Sequence, residues 1–350
     1  MKDILPELED WLAQGENIAL ATVVRTWGSS PRGVGAKMAL TAGGKIAGSV
    51  SGGCVEGAVF EAGIETLKTG QPQLLHFGVA DETAWTVGLA CGGQIDVFVQ
   101  PLQAEHFQER RKRLAAGQLF AAATVIRGPV GLLGCELLAN RAGEVSGAVG
   151  AGLDEAAAAL AGRVLSEGVS QVAALPGAEA KPEPAVEVFV EVVEPQPVLV
   201  IVGAVHTAIA LARLAQVMGF RTVVVDPRSA FGNAERFPQV DQLLPVWPQD
   251  AFAQVQITER TAIAILTHDP KIDDPALEIA LASPAFYVGA LGSATTQAAR
   301  HERLLQAGVS EQQLARLHGP IGLKLGGQAP EEIALAVMAE ITAVKNRVIS

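Results

Sequence analysis

"VLVIVGAVHTAIALARLAQVMGFRTVVVDPR", Val198 to Arg228, is the stretch that decides the fold. An apolar run reaches Gly203, apolar positions then recur at helical spacing through Met218, and a second apolar run ends on Asp226. That pattern reads as strand, tight turn, amphipathic helix and parallel strand, a βαβ unit. Two later apolar runs end in the same way: "AIAILTHDP" delivers His268 and Asp269, and "FYVGALGS" delivers Gly289, Gly292 and Ser293. A Rossmann-like, doubly wound parallel sheet is therefore expected for this half. Such sheets bind ligands at the carboxyl ends of their strands. Gly203, His206, Asp226, Arg228, His268, Asp269, Gly289, Gly292 and Ser293 accordingly form a candidate second site.

Asp226 lies 23 residues past Gly203, close to the spacing of a ribose-binding carboxylate in dinucleotide folds. The phosphate turn opposes that reading. A dinucleotide fingerprint wants glycine at the first, third and sixth positions, and this chain has Gly203-Ala204-Val205-His206-Thr207-Ala208. A valine side chain at the third position would stand between backbone and pyrophosphate. NAD(P) is thus disfavoured as a ligand, and an NAD(P)-dependent oxidoreductase is kept as the alternative. His206, if the strand ends converge, would meet His268 and Asp269 as an acid/base or metal cluster.

Composition narrows the function classes. Hydrophobic residues make up 49% of the 350-residue chain and charged residues 18%, the balance of a globular protein long enough for two domains. A formal net charge of −11 opposes a nucleic-acid surface, so an anionic ligand would need a local pocket. The most apolar segment, Val198 to Phe220, is interrupted by His206 and Arg213, which argues against a membrane span. "MKDILPELED" shows no cationic stretch leading into an apolar one, and three cysteines suit a reducing compartment; the cytoplasm is the expected address.

The other half contains a repeat. "GENIALATVVR" (Gly15 to Arg25) matches "GQLFAAATVIR" (Gly117 to Arg127) 102 residues on. "GGKIAGSVSGG" (Gly43 to Gly53) lies over "AGEVSGAVGAG" (Ala142 to Gly152) at 99, and "IDVFVQPL" (Ile95 to Leu102) over "VEVFVEVV" (Val186 to Val193) at 91. These blocks predict a duplicated α+β domain with copies at about 15–102 and 117–193. Each copy would hold strands near Ile18–Val24, Ala36–Thr41 and Lys45–Val50, a helix from about Val55 and a closing strand. A Pro- and Glu-rich passage, Pro176 to Pro197, suits a boundary, giving domains 1–194 and 195–350. Whatever both copies share is expected to be scaffold.

Three segments belong to the first copy alone: "TWGSSPRGVGAK" (Thr26 to Lys37), "SGGCVEG" (Ser51 to Gly57) and "GLACGGQ" (Gly88 to Gln94). Leu153 stands in the second copy where the first has Cys54. These segments, with "VVVDPRSAFGNAERFP", "AILTHDPKIDDPAL", "YVGALGS" and "GPIGLKLGGQAPEEIALAVMAEI", resemble the XdhC/CoxI family over nearly the whole chain. The resemblance implies a molybdenum cofactor chaperone, a xanthine dehydrogenase accessory protein. Such a protein protects the cofactor during sulfuration and helps insert it into an apo molybdenum hydroxylase of the xanthine dehydrogenase type. A cysteine desulfurase as sulfur donor and a homodimer are further family implications, and the cofactor would be molybdopterin or a dinucleotide form of it. The departures cluster late: "GAVHTA", Gly292-Ser293-Ala294-Thr295 and "GLKLGGQAPEE" lack two basic contacts and an acidic one of the family pattern.

An anionic pterin with a phosphate and a sulfur-held metal calls for cations and exposed backbone N–H groups. Ser29, Ser30, Arg32, Gly33, Gly35 and Lys37 supply both kinds in one loop. Cys54 follows Gly52 and Gly53 and precedes a helix, whose N-terminus favours a thiolate, so it is the candidate contact to sulfur or molybdenum. Glu56 would touch the cofactor, carry a proton or simply cap that helix. Cys91, with Gly92 and Gly93, is a second thiol among glycines and would share the cavity if the loops fold together. Zinc is opposed by the lack of any C-x-x-C pair, and Cys135 reads as a small core residue. A maturation factor is expected over an enzyme, with a ligand-free maturation scaffold as the remaining reading.

Overall fold

The computed structural model describes residues 4–78, 93–175 and 186–349. The chain divides into two compact units, Met1–Pro195 and Gln196–Ser350. The first opens with α1 (Leu5–Ala13) and then runs β1 (Ile18–Trp27), β2 (Lys37–Thr41), β3 (Ile46–Gly48), α2 (Glu56–Thr69), β4 (Gln73–Phe77) and β5 (Gln94–Pro101). After α3 (Ala104–Ala115), β6 (Phe120–Arg127), β7 (Glu136–Asn140), β8 (Val145–Ala148), α4 (Asp154–Glu167), β9 (Gln171–Ala174) and β10 (Glu187–Val193) follow in the same order.

Two sheets of one topology result. The first is ordered β3-β2-β1-β5-β4 and the second β8-β7-β6-β10-β9. Both carry a 14-residue helix that starts on an acidic residue, Glu56 or Asp154, and ends at a left-handed glycine, Gly70 or Gly168. Register agrees residue by residue: Leu20 faces Gln100 and Thr22 faces Lys37, just as Ala122 faces Glu191 and Thr124 faces Glu136. Even the irregularity recurs, since Val24 and Ile126 each form the extra residue of a β-bulge. Those bulged residues cluster with Phe98 and Phe189 in a small core drawn from both sheets.

Each sheet buries its other face under its own helix. Val59 joins Ala21, Met38 and Val97 in the first copy, and Leu160 and Val164 join Ala123, Leu137 and Val188 in the second. The sequence pattern misses β4 and β9 because these edge strands are only partly buried and show no clean alternation. It also stops β1 short, at Val24, although pairing with β5 carries the strand on to Trp27.

The second unit is a parallel sheet ordered β13-β12-β11-β14-β15-β16. Its strands are β11 (Val198–Val202), β12 (Arg221–Val225), β13 (Gln242–Leu244), β14 (Thr261–Ile265), β15 (Tyr287–Ala290) and β16 (Leu317–His318). Core clusters lie on both faces. Helices α5 (His206–Val217) and α10 (Pro330–Lys345) cover one, while α6 (Pro248–Phe252), α7 (Pro270–Ala282) and α8 (Ala294–Gln306) cover the other, with the four-residue α9 (Glu311–Leu314) between α8 and β16. The fold is thus mixed α/β, with antiparallel sheets followed by a Rossmann-like parallel one. No described helix is long and apolar enough to cross a membrane.

Candidate functional site

In the first unit, two of the segments peculiar to the first copy are largely visible and adjoin. Gly52 lies under the Pro31 side chain, with 3.9 Å between that side chain and a methyl group placed on the glycine. Gly93, the described end of the third segment, presses on the Ser29 carbonyl; a methyl group there would sit 2.2 Å from the oxygen. Only glycine permits that approach. Cys91 and Gly92 lie outside the described residues.

Glu56 organises the middle loop. Its carboxylate accepts hydrogen bonds from Ser49 Oγ at 2.6 Å, from Ser51 Oγ at 2.5 Å, and from the N–H groups of Val50, Ser51, Gly52 and Gly53 at 2.8 to 3.2 Å. Gly52 and Gly53 make this possible with φ of 79° and 122°, the region that favours glycine. Partial burial pushes this carboxyl up, but the Ser49 and Ser51 bonds and the backbone donors outweigh it and hold the pKa at about 2. Asp154 does the same work in the second copy, accepting from the N–H groups of Val149 and Gly150. A function kept in both copies is scaffold.

Three expectations change as a result. Glu56 is a positioning residue: six donors of the loop converge on its carboxylate, which fits the capping role among its readings. The N–H groups of Gly52 and Gly53 are committed to it and are not anion donors. The positive end of α2, assigned from sequence to the Cys54 thiolate, is met by the Glu56 carboxylate. Cys54 itself is exposed and free, on the rim of the loop.

Lys37 is also corrected. It is 2% exposed, and its ammonium points into the unit, 2.9 Å from Glu191 and 3.4 Å from Thr22 Oγ1. Arg110 of α3 completes the cluster, donating to Glu191 at 2.8 Å and to Glu136 through two nitrogens. Burial lowers the Lys37 pKa against the pull of Glu191, while Lys37 and Arg110 together hold Glu191 at about 2 despite its own burial. These charges flank a cavity of about 30 Å³, room for roughly one water and not for a cofactor. Strand position drives the outcome: Lys37 opens β2, and its side chain faces the neighbouring copy instead of the loop.

The rest of the first loop keeps its place. Ser29 and Gly33 are exposed, Ser30 Oγ donates to the Arg32 carbonyl at 2.7 Å, and Arg32 and Gly35 are half-buried. Cys135 is half-buried just ahead of β7, beside the second-copy core.

The second unit refutes the ribose reading of Asp226. This carboxylate is fully buried; it accepts from the Ala204 N–H at 2.8 Å, the Arg228 N–H at 2.9 Å, and Arg228 Nε and Nη2 at 2.9 and 2.7 Å. Burial raises its pKa, yet Arg228 and the two backbone donors bring it below the ordinary aspartate value. Arg228 in turn stacks over Phe231, 4.5 Å from the ring centre, and Arg236 donates to the Ala204 carbonyl. The strand-end position is filled by the protein's own side chains. Gly203 is required by Thr267, whose methyl group would lie 2.3 Å from an added Cβ.

Nor does a histidine cluster form there. His206 opens α5 and lines a groove with Ile209, Arg213, Glu331 and Leu335, while His268 is exposed and Asp269 caps α7 by accepting from the Lys271 N–H. Ser293 caps α8, Gly292 is crowded by Thr296, and Gly289 makes room for the Tyr287 hydroxyl. Among the described residues no group of three His, Cys, Asp or Glu is placed to hold a metal.

Trp27 and His76 were not among the site residues expected from sequence. Trp27, at the end of β1, is 45% exposed and meets His76 edge to face with ring centres 6.0 Å apart. His76 Nδ1 lies 2.7 Å from Asp96 Oδ1, and Arg25 reaches Asp96 at 3.3 Å and Glu187 at 3.1 Å. The signal was present: the indole sits in a segment that the second copy replaces with a shorter one, where Pro129 takes its place.

Comparison with known proteins fits this architecture. Residues 11–78 match the model of the XdhC and CoxI family, and residues 199–341 match that of the XdhC Rossmann domain. The chain is thus similar to the XdhC and CoxI family in its first unit and to the XdhC Rossmann domain in its second. It is 29% identical, over 97% of both chains, to a protein of Bacillus subtilis named as a probable xanthine dehydrogenase subunit. To the molybdenum cofactor insertion chaperone PaoD of Escherichia coli it is 27% identical, over 95% of this chain and 85% of that one. A crystal structure described as a xanthine dehydrogenase from Bacillus halodurans shares the fold, with a TM-score of 0.76 at 24% identity over 99% of this chain and 96% of that one.

Proposed function

We propose that this protein is a molybdenum cofactor chaperone. It holds the cofactor on the loops of residues 28–35 and 49–55, protects it while sulfur is added, and passes it to an apo molybdenum hydroxylase of the xanthine dehydrogenase type. The observation that carries the reading is the contact of first-copy segments, Pro31 with Gly52 and Ser29 with Gly93, at a place where the second copy has a shorter loop without the serines, the arginine or the cysteine. A relative whose name states cofactor insertion and another named for xanthine dehydrogenase support it.

The donor set suits such a ligand. Gly33 and Gly53 are exposed and have open space above Cα, so a ligand can approach the backbone there. Ser29 supplies a hydroxyl, Arg32 a cation for the phosphate, and Cys54 an exposed thiol beside them. When bound, the cofactor supplies the metal centre on which sulfur is installed. The chain's residues bind and orient it, and Cys54 offers the thiol that contacts sulfur or metal, with Cys91 as the second candidate and a cysteine desulfurase as the upstream donor.

The test is anaerobic incubation of purified protein with molybdenum cofactor, then gel filtration and measurement of retained molybdenum and pterin. Wild type should retain both, Arg32→Ala should retain less of each, and Cys54→Ala should lose molybdenum or its sulfur preferentially. Retention by wild type no greater than that of an unrelated acidic protein would overturn the reading.

A further inference from the structure

We infer that Trp27 and His76 form an aromatic wall that takes the flat pterin ring of the ligand; this rests on the chaperone reading above. Arg25, Asp96 and His76 occupy directly facing positions on β1, β5 and β4, so they form one row across the first sheet. Trp27, two residues beyond Arg25, stands on the same face of β1. Each member steadies the next. Arg25 fixes Asp96 at 3.3 Å, Asp96 fixes the imidazole at 2.7 Å, and the imidazole meets the indole at an interplanar angle of 67°.

The second copy offers an internal control. Its equivalent row is Arg127, Glu187 and Ala174, with the same register on β6, β10 and β9. The arginine and the acid survive there, 3.6 Å apart. The histidine has become alanine, and Pro129 stands where the indole would be. The sheet therefore needs the ion pair but not the two rings, which occur only in the copy that carries the ligand loops.

Position and chemistry agree on an occupant. Trp27 directly precedes the loop of residues 28–35, and its own carbonyl lies 3.1 Å from a methyl group placed on Gly93, so the indole borders the place where the segments meet. An indole left nearly half exposed on a braced support presents a flat π face, which a fused heterocycle covers by stacking. Arg32 would then take the phosphate at one end of the ligand while the rings take the pterin at the other.

The experiment compares wild type, Trp27→Ala, Trp27→Phe and His76→Ala for retention of molybdenum cofactor and, separately, of metal-free molybdopterin. Trp27→Ala should weaken retention of both about tenfold, Trp27→Phe should restore most of it, and His76→Ala should fall between, all with near-wild-type melting temperatures. Equal retention by wild type and Trp27→Ala overturns the wall and leaves the chaperone reading standing. Failure of wild type to retain either ligand overturns both. Should Trp27→Ala keep full retention yet lose binding to an apo-hydroxylase, the indole is a protein-docking residue and the inference is wrong.

Discussion

Lys37 of the first copy and Glu191 of the second meet at 2.9 Å with both charges buried. Burial of this kind adds little net stability as a pair but makes either partner costly to remove alone. Glu191→Gln should therefore lose about 3–5 kcal/mol in urea denaturation, and Lys37→Met a comparable amount. Because Arg110 keeps Glu136, the double variant should lose clearly less than the sum. Additive losses would show that the two do not act as a pair.

Acid sensitivity follows from Glu56. Its folded pKa of about 2 lies below the unfolded value near 4.5, so its contribution is fully present above pH ~4.5 and is lost as pH falls toward 2. Glu56→Gln should flatten part of the acid limb of the stability profile and lower stability at pH 7 by about 1–3 kcal/mol. An unchanged acid limb would show that the loop does not depend on this carboxylate.

A methyl group at Gly93 cannot coexist with the Ser29 carbonyl at 2.2 Å. Gly93→Ala should cost about 1–3 kcal/mol and, by shifting residues 28–30, reduce cofactor retention more than its melting temperature predicts. Retention that merely follows the melting temperature would separate this contact from the site.

NAD(H) should leave the melting temperature of the wild type unchanged, since Arg228 and two backbone N–H groups occupy Asp226. Restoring glycine at the third fingerprint position by Val205→Gly should not create binding, because the arginine remains. A millimolar-range shift in the single variant would show that Val205 was the sole obstacle.

How much of this was legible in sequence varies by the kind of fact. The parallel sheet was, because a change of apolar period from strand to helix is a property of consecutive residues, as from Val198 to Asp226. The repeat correspondence of Thr22 with Thr124 was equally readable. Side-chain allegiance was not: the spacing of Asp226 locates a carboxylate but does not tell that Arg228, two residues on, has taken its lone pairs. Lys37 misled for a similar reason. A lysine ending a glycine loop looks like part of the loop, and only pairing across copies reveals Glu191, an acid set between valines in β10. Glu56 was half legible, since capping was among its readings, but the convergence of six donors depends on two glycine dihedrals.

The register that makes Lys37 the counterpart of Glu136, and Gln100 the counterpart of Glu191, gives the halves a polarity. Two first halves placed together would set each lysine against a glutamine, leaving two buried ammonium groups without a counter-charge. Two second halves would gather four glutamates around the same axis. Only the unlike combination, completed by Arg110, sets two cations against two carboxylates, so the arrangement opposes pairing of like halves from neighbouring chains.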